Sequence, residues 1–548
     1  MKKNKIIRNF LIGLAAVAAL GVYYYVTIPA INIHSSGTWG AIFLVIGILM
    51  LFSLVKHFKG NVESTVEGIS KMQFRIKDTS LMFKILGSVM LLLCVVYGIG
   101  YLLSSPFFNA AKYQKLLSIE ERNFTDDIKE VDYQTIPLLD KDSAAILGNR
   151  KMGSMVDMVS QFEVTSDYSQ INYLGKPVRV TPLTYASPIK WLTNQRNGIP
   201  AYILIDMTTQ DTECVKLTEG IKYSKGEYFN RNIYRHLRFK FPTYIFAEQI
   251  FFEIDDEGTP YWVCPVKKFN IGLFGGQTIG RVVLCNAQTG ECTDYAVEDV
   301  PTWIDKVYSA ELLIDLYDYS GLLKHGYWNS LLGQKDCLQS TNGYNYIALD
   351  DDVWVYTGVT SVSGDQSNVG FVLMNQRTME TRYYKVEGAI EDSAMSSAEG
   401  QVQNLGYRAT FPLLLNIADE PTYFMALKDS AGLVKKYAMV NVQKYQWVAI
   451  GDTLKECEKN YTELLNTNGI VSSMAEELKS ITGQIKSISP IVLEGNTHYY
   501  ICLENSDDIF DLDMQDKSLI QIVKYQVGDR IVFEYLNEYG INQVKSIK

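Results

Sequence analysis

Two cysteines, Cys285 and Cys292, flank the polar turn Asn286–Glu291 and are candidates for redox chemistry. Residues on either side of a hairpin turn can face each other across two strands, and a disulfide then forms if the register is right. The chain has eight cysteines, one of which, Cys94, lies in an apolar stretch. The seven others are an odd number, so we predict one candidate disulfide, Cys285–Cys292, and at least one free or intermolecular thiol.

The histidines and acidic runs do not form a recognisable metal motif. None of the five histidines stands in an HExxH or paired-histidine spacing, which a dedicated zinc site would normally show. Asp255–Glu257 and Asp350–Asp352 offer the oxygen ligands that calcium prefers, but neither completes an EF-hand loop. We interpret both runs as solvated turns, and we predict no metal site and no cofactor.

The catalytic motifs in the chain are incomplete. Ser187–Lys190 matches the Ser-x-x-Lys pattern of serine acyl-transfer enzymes, but the accompanying Ser-Asp-Asn and Lys-Thr-Gly signatures are missing. The glycine-rich segment Gly272–Gly280 lacks the Lys-Ser/Thr ending of a phosphate loop. The sequence therefore predicts no catalytic residue.

Two polar segments are candidate binding surfaces, since binding residues concentrate on loops held by a rigid frame. The first is a predicted flexible loop, Tyr356–Gly370, and the second is a basic turn, Gly148–Gly153, together with an arginine further along. A small basic pocket in an acidic protein could hold an anionic group, with internal ion pairing as the alternative. The candidate residues are Tyr356, Thr360, Ser361 and Asp365 in the first, and Arg150, Lys151 and Arg179 in the second.

Three uncharged apolar stretches precede these candidate residues in the chain and are predicted to hold them at a membrane. A membrane-spanning helix needs about 20 apolar residues, so residues 1–105 are predicted to be an anchor of three transmembrane helices, at about 10–33, 39–55 and 85–103. The alternatives are a cleaved signal peptide for the first stretch and a re-entrant segment for the second. The stretches contain no Asp, Glu, Lys, Arg or His, which argues against an ion or proton path.

Charge predicts the orientation of this anchor. Residues 1–105 carry ten Lys/Arg and three Asp/Glu, whereas residues 106–548 carry 41 and 58. The basic residues precede the first stretch and fill the loop 56–84, so both are predicted to be cytoplasmic and residues 106–548 extracytoplasmic. An ectodomain this acidic repels polyanions, so nucleic acid is not a predicted partner. The lipid bilayer is a predicted partner because of the apolar stretches.

An internal repeat organises the ectodomain. The phrase Arg238–Pro242 returns as Arg408–Pro412, and in each copy it is predicted to close a helix ahead of a strand. We predict an α+β ectodomain of tandem duplicated helix and antiparallel-sheet units. The predicted segments are a helical and extended connector with the first strands at 106–197, repeat units at 198–318 and 319–468, an amphipathic helix at 469–489, and a small OB- or SH3-like β-barrel at 490–548.

The hairpin turns carry a family resemblance. Asp206–Thr209, Asn286–Gly290 and Asn375–Thr378 follow a helix and a strand, and this order resembles PepSY-like domains. The resemblance implies extracytoplasmic modules linked to envelope proteins and to protease regulation. The chain as a whole also resembles membrane-anchored proteins of Gram-positive bacteria, a resemblance that carries no activity.

Duplication without a catalytic constellation, on a charge-free anchor, favours a non-enzymatic function. We predict an extracytoplasmic binding, scaffold or regulatory component of the bacterial cell envelope, with an envelope protein partner or a second copy of the chain. The alternative is an envelope hydrolase or transferase with a site near 356–370. Clustering of Ser361, Asp365 and an imidazole would favour that alternative, and transport would require a polar path that the apolar stretches do not offer.

Overall fold

The computed structural model describes the chain apart from residues 1, 64–70, 77–80, 131–135, 138, 350, 362–366, 471–478, 494–495, 507 and 539–540. Side chains are also not described for residues 2–12, 55–63, 71–76, 517, 537–538 and 541. Two compact units result, Met1–Tyr461 and Thr462–Lys548.

Three helices begin the chain, and two of them are long and apolar enough to cross a membrane. These two, Ser36–Leu54 within α2 and all of α3, suggest a membrane anchor. Within the described side chains, the first predicted span is only a shorter apolar helix, Gly13–Thr27, so three spans are not established. Two antiparallel strands occupy part of the predicted loop 56–84. The elements are α1 (Lys2–Thr27), α2 (Ser36–His57), β1 (Phe58–Glu63), β2 (Lys71–Ile76) and α3 (Leu81–Leu103).

Three helices and one strand lead into the first sheet, and a further helix lies between two of its strands. Four of the five strands of this sheet follow the order β4-β6-β7-β8, and β5 pairs with the free part of β6. Strands β4–β6 lie in the predicted connector 106–197 and pair in the same sheet as β7. The elements are α4 (Pro106–Gln114), β3 (Ile119–Arg122), α5 (Phe124–Asp127), α6 (Lys141–Gly153), β4 (Phe162–Val164), β5 (Ser169–Tyr173), β6 (Lys176–Tyr185), α7 (Pro188–Asn194), β7 (Ile199–Asp206) and β8 (Thr212–Ile221).

The second sheet is a four-stranded antiparallel sheet with the order β12-β11-β10-β9. One helix precedes it and another follows it. The elements are α8 (Ile233–Lys240), β9 (Phe251–Ile254), β10 (Pro260–Ile271), β11 (Gly275–Asn286), β12 (Cys292–Ala296) and α9 (Ala310–Leu322). The glycine-rich segment Gly272–Gly280 is the tip of the β10–β11 hairpin and the start of β11.

The third sheet has the order β13-β15-β17-β18-β3, with β14 beside β15 and with β3 parallel to β18. The prediction of a flexible loop over Tyr356–Gly370 is wrong for the described residues, because most of them are strand. The apolar residues of this segment alternate with small polar residues, and this pattern also fits a buried strand. The elements are β13 (Leu338–Ser340), β14 (Asn345–Leu349), β15 (Asp352–Ser361), β16 (Ser367–Asn368), β17 (Gly370–Asn375), β18 (Thr381–Tyr384) and β19 (Gly388–Ala389), which pairs with β16.

The fourth sheet has the order β20-β22-β23-β24, with β21 beside β22. The prediction that the repeated phrase closes a helix holds for Arg238, in the last turn of α8, and is wrong for Arg408. Arg408 lies in β20, and the preceding helix has already ended at Gln401. The elements are α10 (Glu391–Gln401), β20 (Arg408–Ala409), β21 (Leu413–Ile417), β22 (Glu420–Lys428), β23 (Val434–Asn441), β24 (Val448–Gly451) and α11 (Leu454–Thr467).

The same hydrogen-bonded turn recurs in all four sheets. An aspartate or asparagine ends one inner strand of each sheet, and its side-chain oxygen accepts hydrogen bonds from the backbone N–H groups two and three residues further on. The N–H of the residue that directly follows this aspartate or asparagine donates to the carbonyl of the first or second residue of the neighbouring strand. The recurring element is therefore a single sheet. The turn residues are Asp206, Asn286, Asn375 and Asn441, and the carbonyls belong to Pro177, Pro260, Val353 and Pro421.

The second sheet is buried on both faces. Successive side chains of a strand point to opposite faces, so Trp262 and Cys264 pack into the core of the first sheet while Val263 packs against α9 and the third sheet. Strand β11 repeats this alternation, with Cys285 on the first face and Leu284 on the second. Both faces are apolar, which ties the first three sheets into one body.

The second compact unit is formed by five strands whose pairings close into a ring, in the order β25-β26-β27-β29-β28. The predicted amphipathic helix 469–489 is wrong from Lys479 onward, where β25 begins, and residues 471–478 lie outside the described part. Ile481 and Ile485 are four residues apart, a spacing that fits one face of either a helix or a strand. The strands are β25 (Lys479–Leu493), β26 (Asn496–Leu503), β27 (Ile509–Asp513), β28 (Arg530–Glu538) and β29 (Ile541–Ile547).

Candidate functional site

The predicted basic residues lie in different environments. Arg150 and Lys151 are in the last turn of α6, so the predicted turn 148–153 is a helix. Arg179 is buried on β6, where its Nε donates to the Leu139 carbonyl at 3.3 Å and its Nη2 to Gln170 Oε1 at 3.2 Å. Burial lowers the pKa of the Arg179 guanidinium. Arg179 is therefore bonded inside the protein and does not extend the exposed basic end of α6.

The predicted residues near 356–370 lie mainly in and beside β15. Tyr356 is fully buried, and its hydroxyl donates to the Pro412 carbonyl. Thr360 is also buried and donates to the Ser367 carbonyl at 3.1 Å, while Ser361 is the last residue of the strand. Asp365 lies outside the described residues. The hydroxyls of Tyr356 and Thr360 thus face protein groups.

A cluster of buried charges joins the first three sheets, and the sequence did not reveal it. The Glu253 carboxylate on β9 accepts hydrogen bonds from the backbone N–H groups of Asp305 and Lys306, each at 3.0 Å. The Asp305 carboxylate in turn accepts from the Asn172 backbone N–H at 2.6 Å. Glu253, Asp305 and Lys306 are exposed by 0%, 2% and 5%, which encloses the cluster.

Burial shifts every ionisation in this cluster towards the neutral form. It raises the pKa of Glu253 to about 7 and raises the pKa of Asp305 well above its ordinary value, with the Glu253 charge as a second cause for Asp305. Burial, followed by the nearby Arg179 charge, lowers the pKa of Lys306 to about 8. The Lys306 ammonium also lies 4.6 Å from the ring of Tyr346, a cation–π contact. Perturbed groups of this kind occur in active sites and in structural ion clusters, and the enclosure here favours a structural cluster.

A second cluster combines sulfur and imidazole. Cys285 and Cys292 are directly opposite in the β11–β12 register and are free thiols, and His236 of α8 lies beside them. Their ligand atoms all lie within 4.8 Å of one another. The sequence prediction brought the two cysteines together but missed His236, which is about 50 residues earlier in the chain. The prediction of no metal site did not consider this combination.

The most extensive candidate site is the junction between the apolar helices and the sheets. On the side of the junction near α1, Arg238 makes the central contacts, and its Nε donates to the Ile28 carbonyl at 2.9 Å. Its Nη1 also donates to the carbonyls of Phe241, Pro242 and Tyr244. One guanidinium therefore holds both the residue after α1 and the turn after α8.

The segment between α1 and α2 continues this junction. Asn32 Nδ2 donates to the Thr243 carbonyl at 2.9 Å, and His34 Nδ1 lies 2.7 Å from the Leu273 carbonyl. The His34 ring stacks on Phe269 with centroids 5.3 Å apart. Residues 28–34 are thereby fixed to both α8 and the β10–β11 hairpin.

The end of α3 meets the tip of the same hairpin. The Ser104 hydroxyl oxygen accepts from the Phe274 N–H at 3.1 Å, and Tyr97 packs on the Phe274 ring at 5.0 Å. A Cβ at Gly275 would stand 2.2 Å from the Ser104 carbonyl oxygen, and one at Gly272 would stand 2.3 Å from the Ser104 hydroxyl. The glycines predicted to form only a loop permit this close approach.

An exposed apolar patch, formed by Phe107, Phe108, Trp328, Leu331 and Leu332, follows the end of α3. Phe107 lies four residues beyond α3, and its ring is 5.7 Å from that of Trp328. Trp328 is 62% exposed and Leu332 is 80% exposed. Contiguous exposed apolar side chains mark contacts with proteins or membranes.

No protein-family model matches the chain, and no curated protein matches it.

Proposed function

We propose that the chain is a membrane-anchored, non-enzymatic component of the bacterial cell envelope whose ectodomain binds a protein partner or a second copy as a scaffold or regulator. The observation that carries this proposal is the junction. Hydrogen bonds at Ile28, Asn32, His34 and Ser104 join the apolar helices to α8, to the turn after it and to the β10–β11 hairpin. Such bonds transmit orientation, so the ectodomain presents fixed surfaces to the envelope.

The same contacts support the proposed orientation. The end of α1, the start of α2 and the end of α3 all meet the sheets, so the opposite ends of α2 and α3 point away from them. This agrees with an N-terminus and a 56–84 segment on the cytoplasmic side and residues 106–548 on the extracytoplasmic side. The ring of strands at the C-terminus, taken as an OB- or SH3-like barrel, and the three PepSY-like hairpins are the proposed binding modules.

Site-specific photo-crosslinking in the native membrane tests the proposed function. A photoreactive residue is placed in the full chain at the exposed sites Val156, Leu174 or Ile189, with fully buried Ile203 as the matched control site. We expect one or more exposed sites to give a discrete adduct, either with a distinct protein or at twice the 62.0 kDa of the chain. Adducts that do not exceed those of the control at any exposed site would contradict a scaffold.

The exposed apolar patch gives a prediction about lipid contact. Tryptophan is enriched at the interface between lipid and water, so Trp328 is expected to reside among the lipid headgroups. In reconstituted vesicles with a spin label near the headgroup, the fluorescence quenching of the full chain should fall in the Trp328→Phe variant. The Trp191→Phe variant, altered in the half-buried α7, should keep the quenching of the unaltered chain. Equal quenching in both variants would place the patch outside the lipid.

A further inference from the structure

Strand register fixes the two sulfur atoms of the His236–Cys285–Cys292 cluster. The Asn286 N–H donates to the Glu291 carbonyl at 2.8 Å, so the next pair, Cys285 and Cys292, stands directly opposite across β11 and β12. Side chains of directly opposed residues lie on the same face of the sheet. The Cys285 side chain is fully buried, whereas that of Cys292 is partly exposed. One sulfur is therefore held by the core and the other is accessible from outside.

Contacts around His236 hold its ring beside the sulfur atoms. Its Nε2 lies 2.7 Å from the Gly290 carbonyl oxygen, and the Lys240 ammonium donates to the same oxygen at 2.9 Å. The Tyr223 ring packs on the imidazole with centroids 4.5 Å apart. A backbone carbonyl that orients an imidazole is the usual second support of a metal-binding histidine.

We propose that His236, Cys285 and Cys292 bind one zinc ion. Two sulfurs and an imidazole are ligands that zinc prefers, while calcium and magnesium prefer oxygen. On binding, the S–H bonds of Cys285 and Cys292 break, the two protons go to solvent, and both sulfur atoms form bonds to the metal. The two thiolate charges balance the charge of the divalent ion, which suits a partly buried site. The fourth position stays open to water or to a further ligand.

Cobalt(II) is the spectroscopic probe for this site in the full-length, detergent-solubilised and reduced chain. One equivalent is expected to give thiolate-to-cobalt charge-transfer absorption with tetrahedral d–d bands, and zinc is expected to remove both. The Cys292→Ser variant should lose the bands. The His236→Ala variant, altered at a partly exposed position, should bind cobalt at least tenfold more weakly. Cys457→Ser, altered at a buried cysteine of α11, should behave as the unaltered chain.

Three results would overturn the site. The first is a reduced, folded chain that shows no thiolate-to-cobalt band. The second is a band that survives in Cys292→Ser with the intensity of the unaltered chain, which would place the ion elsewhere. The third is a Cys285–Cys292 disulfide that resists reduction in the folded chain, since the same two sulfur atoms cannot then bind a metal. Thermal unfolding of each variant confirms that a lost band reports lost ligands and not lost structure.

Discussion

Replacing Glu253 by alanine is expected to lower the free energy of unfolding by about 3–5 kcal/mol. The substitution removes the acceptor of two buried N–H groups, those of Asp305 and Lys306. It also leaves the Lys306 ammonium enclosed beside Arg179 with less negative charge to offset it. The free energy is measured by denaturant unfolding of the full chain in detergent, followed by circular dichroism.

The Asp157→Ala variant is the matched control for this prediction. This substitution also removes the carboxylate partner of a lysine, since Asp157 Oδ2 lies 2.8 Å from Lys216 Nζ. This pair, however, is on the surface. Exposed ion pairs are screened by solvent, so we expect no measurable change in unfolding. Similar losses in the Glu253 and Asp157 variants would show that the buried cluster has no special structural role.

The same cluster sets a sign for the pH dependence of stability. The pKa of Glu253 is raised to about 7 and that of Asp305 is raised well above its ordinary value, so the folded chain binds more protons than the unfolded chain above pH about 4. Their contribution is fully present below that pH and is lost as the pH rises through about 7. The pKa of Lys306, lowered to about 8, acts oppositely, since its contribution is regained only as the pH rises above that value. Glu253→Gln should therefore flatten the fall in melting temperature between pH 5 and pH 7.

Short-range signals in the sequence predicted the local structure well where the interaction itself is short-range. The turns at Asp206, Asn286 and Asn375 rest on a side chain that bonds the backbone two and three residues later, and the residue types indicate such turns directly. The fourth turn begins at Asn441 and has a lysine, Lys444, at the third position after it, where the other three turns have threonine. The residue pattern of the first three turns therefore does not identify it. Where one pattern fits two periods, as with Ile481 and Ile485, only the tertiary structure decides.

The candidate sites depend on contacts between distant parts of the chain, and the sequence cannot supply these. Glu253 is a charged residue within an apolar strand, which is a usable signal, but its partners are about 50 residues away. Arg238 and Arg408 look alike in the repeated phrase and were predicted to have the same structural role, and that prediction is wrong. Arg238 bonds to Ile28, about 210 residues earlier, whereas Arg408 is 82% exposed and pairs with Glu399.

Replacing Arg238 by alanine is expected to lower the free energy of unfolding by about 1–3 kcal/mol, because the carbonyls that it bonds lose a donor inside the junction. The largest effect should be local. The Ile28 carbonyl loses its bond from the guanidinium, so the segment that follows α1 should open more often. Hydrogen exchange of residues 28–35 in detergent or nanodiscs measures this opening, and unfolding followed by circular dichroism measures the global loss.

The repeated phrase itself supplies the control. Arg408→Ala removes the same side chain from the same sequence context, but it breaks only one exposed ion pair, so stability should change by no more than about 0.5 kcal/mol. Exchange at residues 28–35 should match that of the unaltered chain. If the Arg408 variant loosened this segment as much as the Arg238 variant, the effect would belong to the arginines of the repeat in general. If only Arg238→Ala does so, the first copy of the phrase fixes the segment after α1 to the sheets.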